Sequence, residues 1–126
     1  MLLKNESEIT TWYLNRWRSE AWQNGWAYKI PDAGRGLKPF DVIGIHQDRM
    51  GNLKMFAREF KYIKTKKIDY ESVYQHLELH QIMNLMKFSN IGWEALVIAY
   101  HQHTQEYYVY PFKILDDGTV KGKKQN

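Results

Sequence analysis

The chain has 126 residues, 44% hydrophobic and 15% aromatic, which suits one domain with a single core, is too short for two, and excludes disorder as a description of the whole. Eighteen Lys and Arg against 14 Asp and Glu leave a net charge of +4 and a pI of about 9.2, a balance that favours a polyanionic partner. Cysteine is absent, which excludes disulfide scaffolds and thiolate metal sites; with no signal-peptide core and no apolar run near the roughly 20 residues of a bilayer span, a cytoplasmic protein without a membrane segment is expected.

The first predicted helix covers residues 5–24. Asn5 or Ser7 caps it, Glu6 and Glu8 suit its positive end, and Asn24-Gly25 stops it. Its face Thr10, Tyr13, Leu14, Trp17, Ala21 has helical spacing and, extended back one turn, reaches Glu6. Trp12, Tyr13, Trp17, Trp22 and Trp26 read as core aromatics. Trp26–Ile30 is a short strand, ended by Pro31. The loop from Asp32 to Lys38 has two glycines and two cations, Arg35 and Lys38; it either brings backbone and charge close to a phosphate or is a plain surface loop.

Pro39 to Lys61 reads as a hairpin. Two runs rich in Val, Ile, Phe and Met flank His46–Asn52, whose Asp, Gly and Asn are turn formers. A turn centred on Met50 sets Asp41 opposite Glu59, with Cβ atoms about 4.5–5.5 Å apart, and two carboxylates so placed repel each other. A hard divalent cation removes that repulsion, and Mg²⁺ is commonly held by one or two carboxylates together with water and phosphate. Alternation puts Lys61 on the face of Glu59 and turns Phe60 the other way, into apolar packing.

Beyond the hairpin, Lys61–Lys67 is the densest basic segment. Lys64, Lys66 and Lys67 lack apolar partners and suit phosphate contact. Residues 70–89 form the second predicted helix, capped by Asp69, with Leu79, Ile82, Met83 and Met86 on its apolar face and His80-Gln81 in mid-helix. The unbroken apolar run in 94–100 suits an interior strand, and Glu106–Tyr110, ended by Pro111, an edge strand. His76 with His80, and His101 with His103, lack a third zinc ligand at motif spacing and read as surface histidines. The basic tail 116–126 is expected to be loosely ordered, adding nonspecific DNA affinity. No internal repeat is present.

Asp41 with Glu59-Phe60-Lys61 resembles the signature of the PD-(D/E)XK nuclease superfamily, with the motif proline two residues before the Asp, as Pro39-Phe40-Asp41. The ordered set Glu59-Phe60-Lys61, basic connector, His80-Gln81-Ile82-Met83 and Ala95–Ala99 is similar to RecU-type Holliday junction resolvases over roughly residues 26–100. The resemblance implies an α/β fold of order αβββαββ, a mixed sheet flanked by helices. It implies Asp41, Glu59 and the Phe60 carbonyl as ligands of Mg²⁺, with Mn²⁺ as a substitute, and Lys61 as the catalytic cation. It further implies an acidic residue early in the first helix, Glu6 or its competitor Glu8, at the metal, and Gln81 assisting there. The implied function is Mg²⁺-dependent hydrolysis of DNA phosphodiesters, on branched DNA, by a homodimer able to cut two strands symmetrically. The alternatives are a phage or mobile-element nuclease with another DNA substrate and a noncatalytic nucleic-acid-binding protein.

Overall fold

Asp48 closes the central hairpin. Its Oδ1 accepts hydrogen bonds from the backbone N–H groups of Met50 and Asn52, both at 2.9 Å, and Gly51 takes a φ of +86°, a left-handed value that glycine adopts without steric cost. The strands it joins, β2 (Val42–Gln47) and β3 (Leu53–Ile63) in chain order, pair antiparallel with Val42 opposite Arg58 and Gln47 opposite Leu53. That is the register of a turn centred on Met50. Gly44 lies opposite Phe56, whose ring atoms come within 2.1 Å of where a Cβ would stand. A side chain at 44 would push that ring out, so the fit opposes any slip of the pairing.

The computed structural model describes residues 2–20, 24–31, 38–114 and 120–121, with backbone alone at 113, 114, 120 and 121. It is an α/β structure in the order α1 (Glu6–Ser19), β1 (Asn24–Lys29), β2, β3, α2 (Tyr70–Tyr74), α3 (Leu79–Asn90), β4 (Glu94–His101), β5 (Glu106–Pro111), β6 (Lys113–Ile114) and β7 (Val120–Lys121). The first five strands form one mixed sheet in sequence order, antiparallel except for the parallel pair β3–β4. Alternation along β3 splits the core in two: Phe56 and Phe60 pack with Ile9 and Leu14 of α1, whereas Ala57 and Ile63 pack with Val73, Leu85 and Phe88 on the other face. β4 is buried on both faces, as a strand inside a covered sheet should be. No helix of the described residues is long and apolar enough to cross a membrane.

Several sequence-based boundaries move. Asn5 is the cap of α1, accepting from the Glu8 N–H at 2.9 Å, but the helix stops at Ser19 and not at 24. Ser19 Oγ turns back to the Arg16 carbonyl, and Asn24-Gly25, expected as a helix stop, is drawn into the ladder opposite Gln47 and His46. Ala21, Trp22 and residues 32–37 of the glycine loop, Arg35 among them, lie outside the described residues. β2 begins at Val42 because Pro39 has no N–H for a ladder and Phe40 turns into the core, its ring 5.5 Å from that of Phe88. β3 continues to Ile63, since β4 offers partners from Phe56 opposite Glu94 to Ile63 opposite His101. The tail contributes Val120–Lys121 to a two-stranded ribbon with Lys113–Ile114, while 115–119 and 122–126 lie outside the described residues.

The largest correction concerns the second helix, which is two helices. After α2, Leu77 is buried in the turn and Glu78 adopts extended backbone, its N–H donating to Gln81 Oε1 at 2.9 Å. Gln81 therefore stands in the first turn of α3 and not in mid-helix. Restarting there resets which face is inward: Gln81, Leu85 and Phe88 are buried, whereas Leu79 is 72% exposed and Met83 is also exposed. His101 is another correction. It is buried, with its ring nitrogens 2.7 Å from the Thr65 carbonyl and 3.1 Å from Thr104 Oγ1, so it ties the basic connector to the turn after β4.

Candidate functional site

β2 begins one residue after Asp41, so β3 beyond Arg58 has β4 on one side and, among the described residues, no ladder strand on the other. Asp41 fills the start of that gap. Its Oδ2 accepts the Phe60 N–H at 2.8 Å, its own N–H donates to the Arg58 carbonyl at 3.0 Å, and its carbonyl accepts from the Ile30 N–H at 2.8 Å. The side chain thus takes over a bond the missing strand would have made. The N–H and C=O of one extended residue point to the same side, so the Phe60 carbonyl also looks toward the gap.

A cleft of about 330 Å³ opens there. α1 contributes Glu6, Ser7 and Thr10; β1 contributes Lys29; Lys38 and Asp41 come from the approach to β2; β3 contributes Glu59 and Lys61; Glu78 and Gln81 come from the start of α3. Glu59 is only 1% exposed. Gln81 Nε2 donates to its Oε2 at 3.2 Å and Lys61 Nζ lies 3.7 Å from the same oxygen, while Oε1 is buried with no hydrogen-bond partner among the described residues. Burial and then the Asp41 charge push the Glu59 carboxyl up to about 9, and Lys61 only partly opposes them. Lys61 Nζ also lies 3.7 Å from Glu6 Oε1, at the mouth of the cleft. Glu6 is likewise raised, by desolvation first, against the lowering effect of Lys61. Lys38 Nζ sits 2.9 Å from Asp41 Oδ1.

These donors fit a hard divalent cation. Glu59 Oε1 is an orphaned buried oxygen, Asp41 is balanced by an ammonium from a neighbouring lysine, and oxygen is the only ligand type at the centre. Among the described residues no group of three or more His, Asp or Glu side chains is set to hold a metal ion. The available set is two carboxylates and a backbone carbonyl, which suits an ion that keeps water and shares phosphate oxygens.

Asp41, Glu59, Lys61, Gln81, Glu6 and Lys38, each singled out in the sequence, meet in this one cleft. Glu8 does not line it. Lys64, Lys66 and Lys67 do not line it either; they are exposed on the connector, with Lys67 Nζ 3.6 Å from Asp69. Lys29, Ser7, Thr10 and Glu78 are additions. Lys29 had a findable signal, a cation one residue before the end of a strand facing the hairpin, but Glu78 enters only because the helix breaks beside it. No protein-family model matches the chain, and no curated protein matches it.

Proposed function

We propose that the chain is a divalent-metal-dependent DNA endonuclease with a PD-(D/E)XK-type core. The observation that carries this reading is the buried Glu59, held next to Asp41 and Lys61 at the wall of a cleft open to solvent, with one oxygen unanswered. Mg²⁺, or Mn²⁺ in its place, would be held by Asp41, Glu59 and the Phe60 carbonyl, and when bound supplies Lewis-acid polarisation of a phosphoryl oxygen and acidifies water. The chain's own residues do the rest. Gln81, anchored by its bond to the Glu78 N–H, fixes one oxygen of Glu59 and leaves the other without a hydrogen-bond partner among the described residues. Glu59 and Glu6 hold Lys61 between them, so its ammonium is positioned before substrate arrives to orient the attacking water and stabilise charge developing on the phosphate.

The preferred substrate is branched DNA and the working form a homodimer, both resting on the resemblance to RecU-type resolvases. Incubating linear, flap and four-way DNA with and without Mg²⁺ tests the reading. Mg²⁺-dependent cleavage, strongest on four-way DNA and absent in Asp41→Asn, is expected; intact DNA under all conditions overturns it. A second reading has its own observation: Asp41 already completes backbone bonding and an ion pair, as a structural acid in a noncatalytic DNA-binding protein would. Binding without cleavage in the same assay would select that reading.

A further inference from the structure

Trp26 was expected in the core, yet it is 64% exposed, and its neighbour Tyr28 is 60% exposed. They stand two residues apart on β1, an edge strand, so they share one face, and Ala27 between them is buried against α1. The register identifies their face. Trp26 pairs with Ile45 and Ile45 with Met55; Tyr28 pairs with Ile43 and Ile43 with Ala57. Ala57 is on the α3 side of the sheet, as is Glu59, whose carboxylate Gln81 of α3 reaches. The aromatic pair and the carboxylate site therefore share a sheet face. α3 covers the β3 end of that face, where Ile43 and Met55 join the core, and leaves the β1 end open.

The spacing runs straight into the cleft. Ile30 follows Tyr28 on the same face, and its N–H is bonded to Asp41. One strand separation of about 4.8 Å and two residues of about 3.3 Å each place the Tyr28 Cα some 8 Å from that of Asp41, and Trp26 about one nucleotide further on. Along β1 the two rings are about 6.7 Å apart at their Cα atoms, close to two base steps of about 3.4 Å. That leaves room for one base between the rings or one on each.

We propose that Trp26 and Tyr28 form a stacking platform for one or two unpaired nucleobases next to the scissile phosphate; this rests on the nuclease reading for the position of the phosphate. Every base has a π-face, so stacking on aromatics selects for unstacked strands without reading sequence. The cations Lys29, which leaves β1 on the opposite face, and Lys38 line the cleft into which the row leads, and a phosphate backbone there complements them. Lysines at the cleft end of the row complement phosphates and repel another basic chain, so a nucleic-acid strand is the occupant. The platform supplies what a preference for flaps and other unpaired segments needs, since a duplex keeps its bases stacked inside while a flap or single strand offers them.

The test is anisotropy binding in the Glu59→Gln background, which keeps DNA intact, with Mg²⁺ present, comparing a single-stranded 12-mer with a blunt duplex. Trp26→Ala combined with Tyr28→Ala should weaken single-strand binding about tenfold or more and duplex binding less than about threefold. Trp26→Phe, which keeps a π-face, should retain most of the single-strand affinity. Equal losses on both DNAs, or no loss on either, overturn the platform. Sedimentation velocity adds another overturning result: a dimer that becomes monomeric in the double variant while single-strand binding persists makes the row a self-association face. Cleavage by the unsubstituted protein is measured in parallel. Selective loss of single-strand binding without any Mg²⁺-dependent cleavage would support the platform and defeat only the nuclease reading, whereas cleavage with no selective loss would defeat only the platform.

Discussion

Arg58 and Glu59 are neighbours on β3, both almost fully buried, and the fold treats their charges in opposite ways. Arg58 faces α1 and is answered on every side: Nε donates to Tyr13 Oη at 3.1 Å, Nη1 to the Ala57 carbonyl at 3.0 Å, Nη2 to Glu94, and the guanidinium lies 4.5 Å from the centre of the Phe56 ring. Glu59 faces α3 with one bonded oxygen, one that has no partner among the described residues, and a second carboxylate close by. A buried charge whose bonds are all made locks a packing arrangement. A buried acid crowded by a second carboxylate is made to hold its proton, a standing cost that a cation bound at the cleft can relieve. The difference separates the structural half of the strand from the half we assign to chemistry.

The comparison breaks most visibly in activity. Asp41→Asn or Glu59→Gln should lower cleavage on the order of 10³-fold while the protein still folds, whereas Arg58→Ala should destabilise by about 2–4 kcal/mol, toward the lower end because Glu94 is half exposed. Cleavage assays and thermal melts on the same three variants decide it; if the acid variants lose their cooperative melt, the contrast fails. Next in size, Lys61→Ala should reduce turnover by about 10²-fold with little change in DNA affinity. Equal losses in both would demote Lys61 to a phosphate anchor.

A third effect is on stability and pH. Glu59 binds a proton in the folded state up to about 9 but in the unfolded chain only to the ordinary glutamate value of 4.5, so between these values the folded state holds more protons. The stability of the metal-free protein should therefore be greatest at the acid end of that window and decline as pH rises through it. Melts at intervals from pH 5 to 9 should show this decline, flattened in Glu59→Gln, with the variant melting several degrees higher at pH 8. A melting temperature that rises with pH in both proteins would contradict the assignment.

Smaller shifts are expected at the lysines. Lys38 neutralises Asp41 in the metal-free site, so Lys38→Met should tighten Mn²⁺ binding roughly three- to tenfold, read by calorimetry without DNA, through removal of a competing cation. Weaker binding would mean that Lys38 props the site open. Replacing Lys64, Lys66 and Lys67 together with Ala should lessen the salt dependence of DNA affinity, each lost phosphate contact taking about 0.9 from the log–log slope on duplex. Unchanged slopes would leave the DNA path to the cleft lysines Lys29 and Lys38.

The register of the hairpin was legible because the period of a strand is two and the turn chemistry of Asp48 and Gly51 admits few alternatives. Asp41 across from Glu59, and Lys61 on the same face as Glu59, followed from that arithmetic. Helix phase was harder. Leu79, Ile82, Met83 and Met86 have helical spacing, yet two of the four face solvent, because nothing local in 75–78 announces a break that depends on Leu77 finding the core. His101 was misread for a related reason: its partner Thr65 is distant in the chain, and only the parallel pairing of β3 with β4 brings the two together.

By itself the sequence determined the α/β class, the central hairpin, the interior and edge strands that follow it, and the identity of the acids and the lysine that share a face. All of these depend on local turn chemistry and on periodicity, which contacts within a few residues enforce. Only the tertiary structure decided that β2 stops short of Glu59, that Asp41 supplies the bond the missing strand would have made, that Gln81 reaches Glu59 from a helix start, and that Trp26 and Tyr28 stay outside. Each of those depends on which distant elements compete for the same surface of β3, and burial on a shared sheet is settled only when every element has been placed.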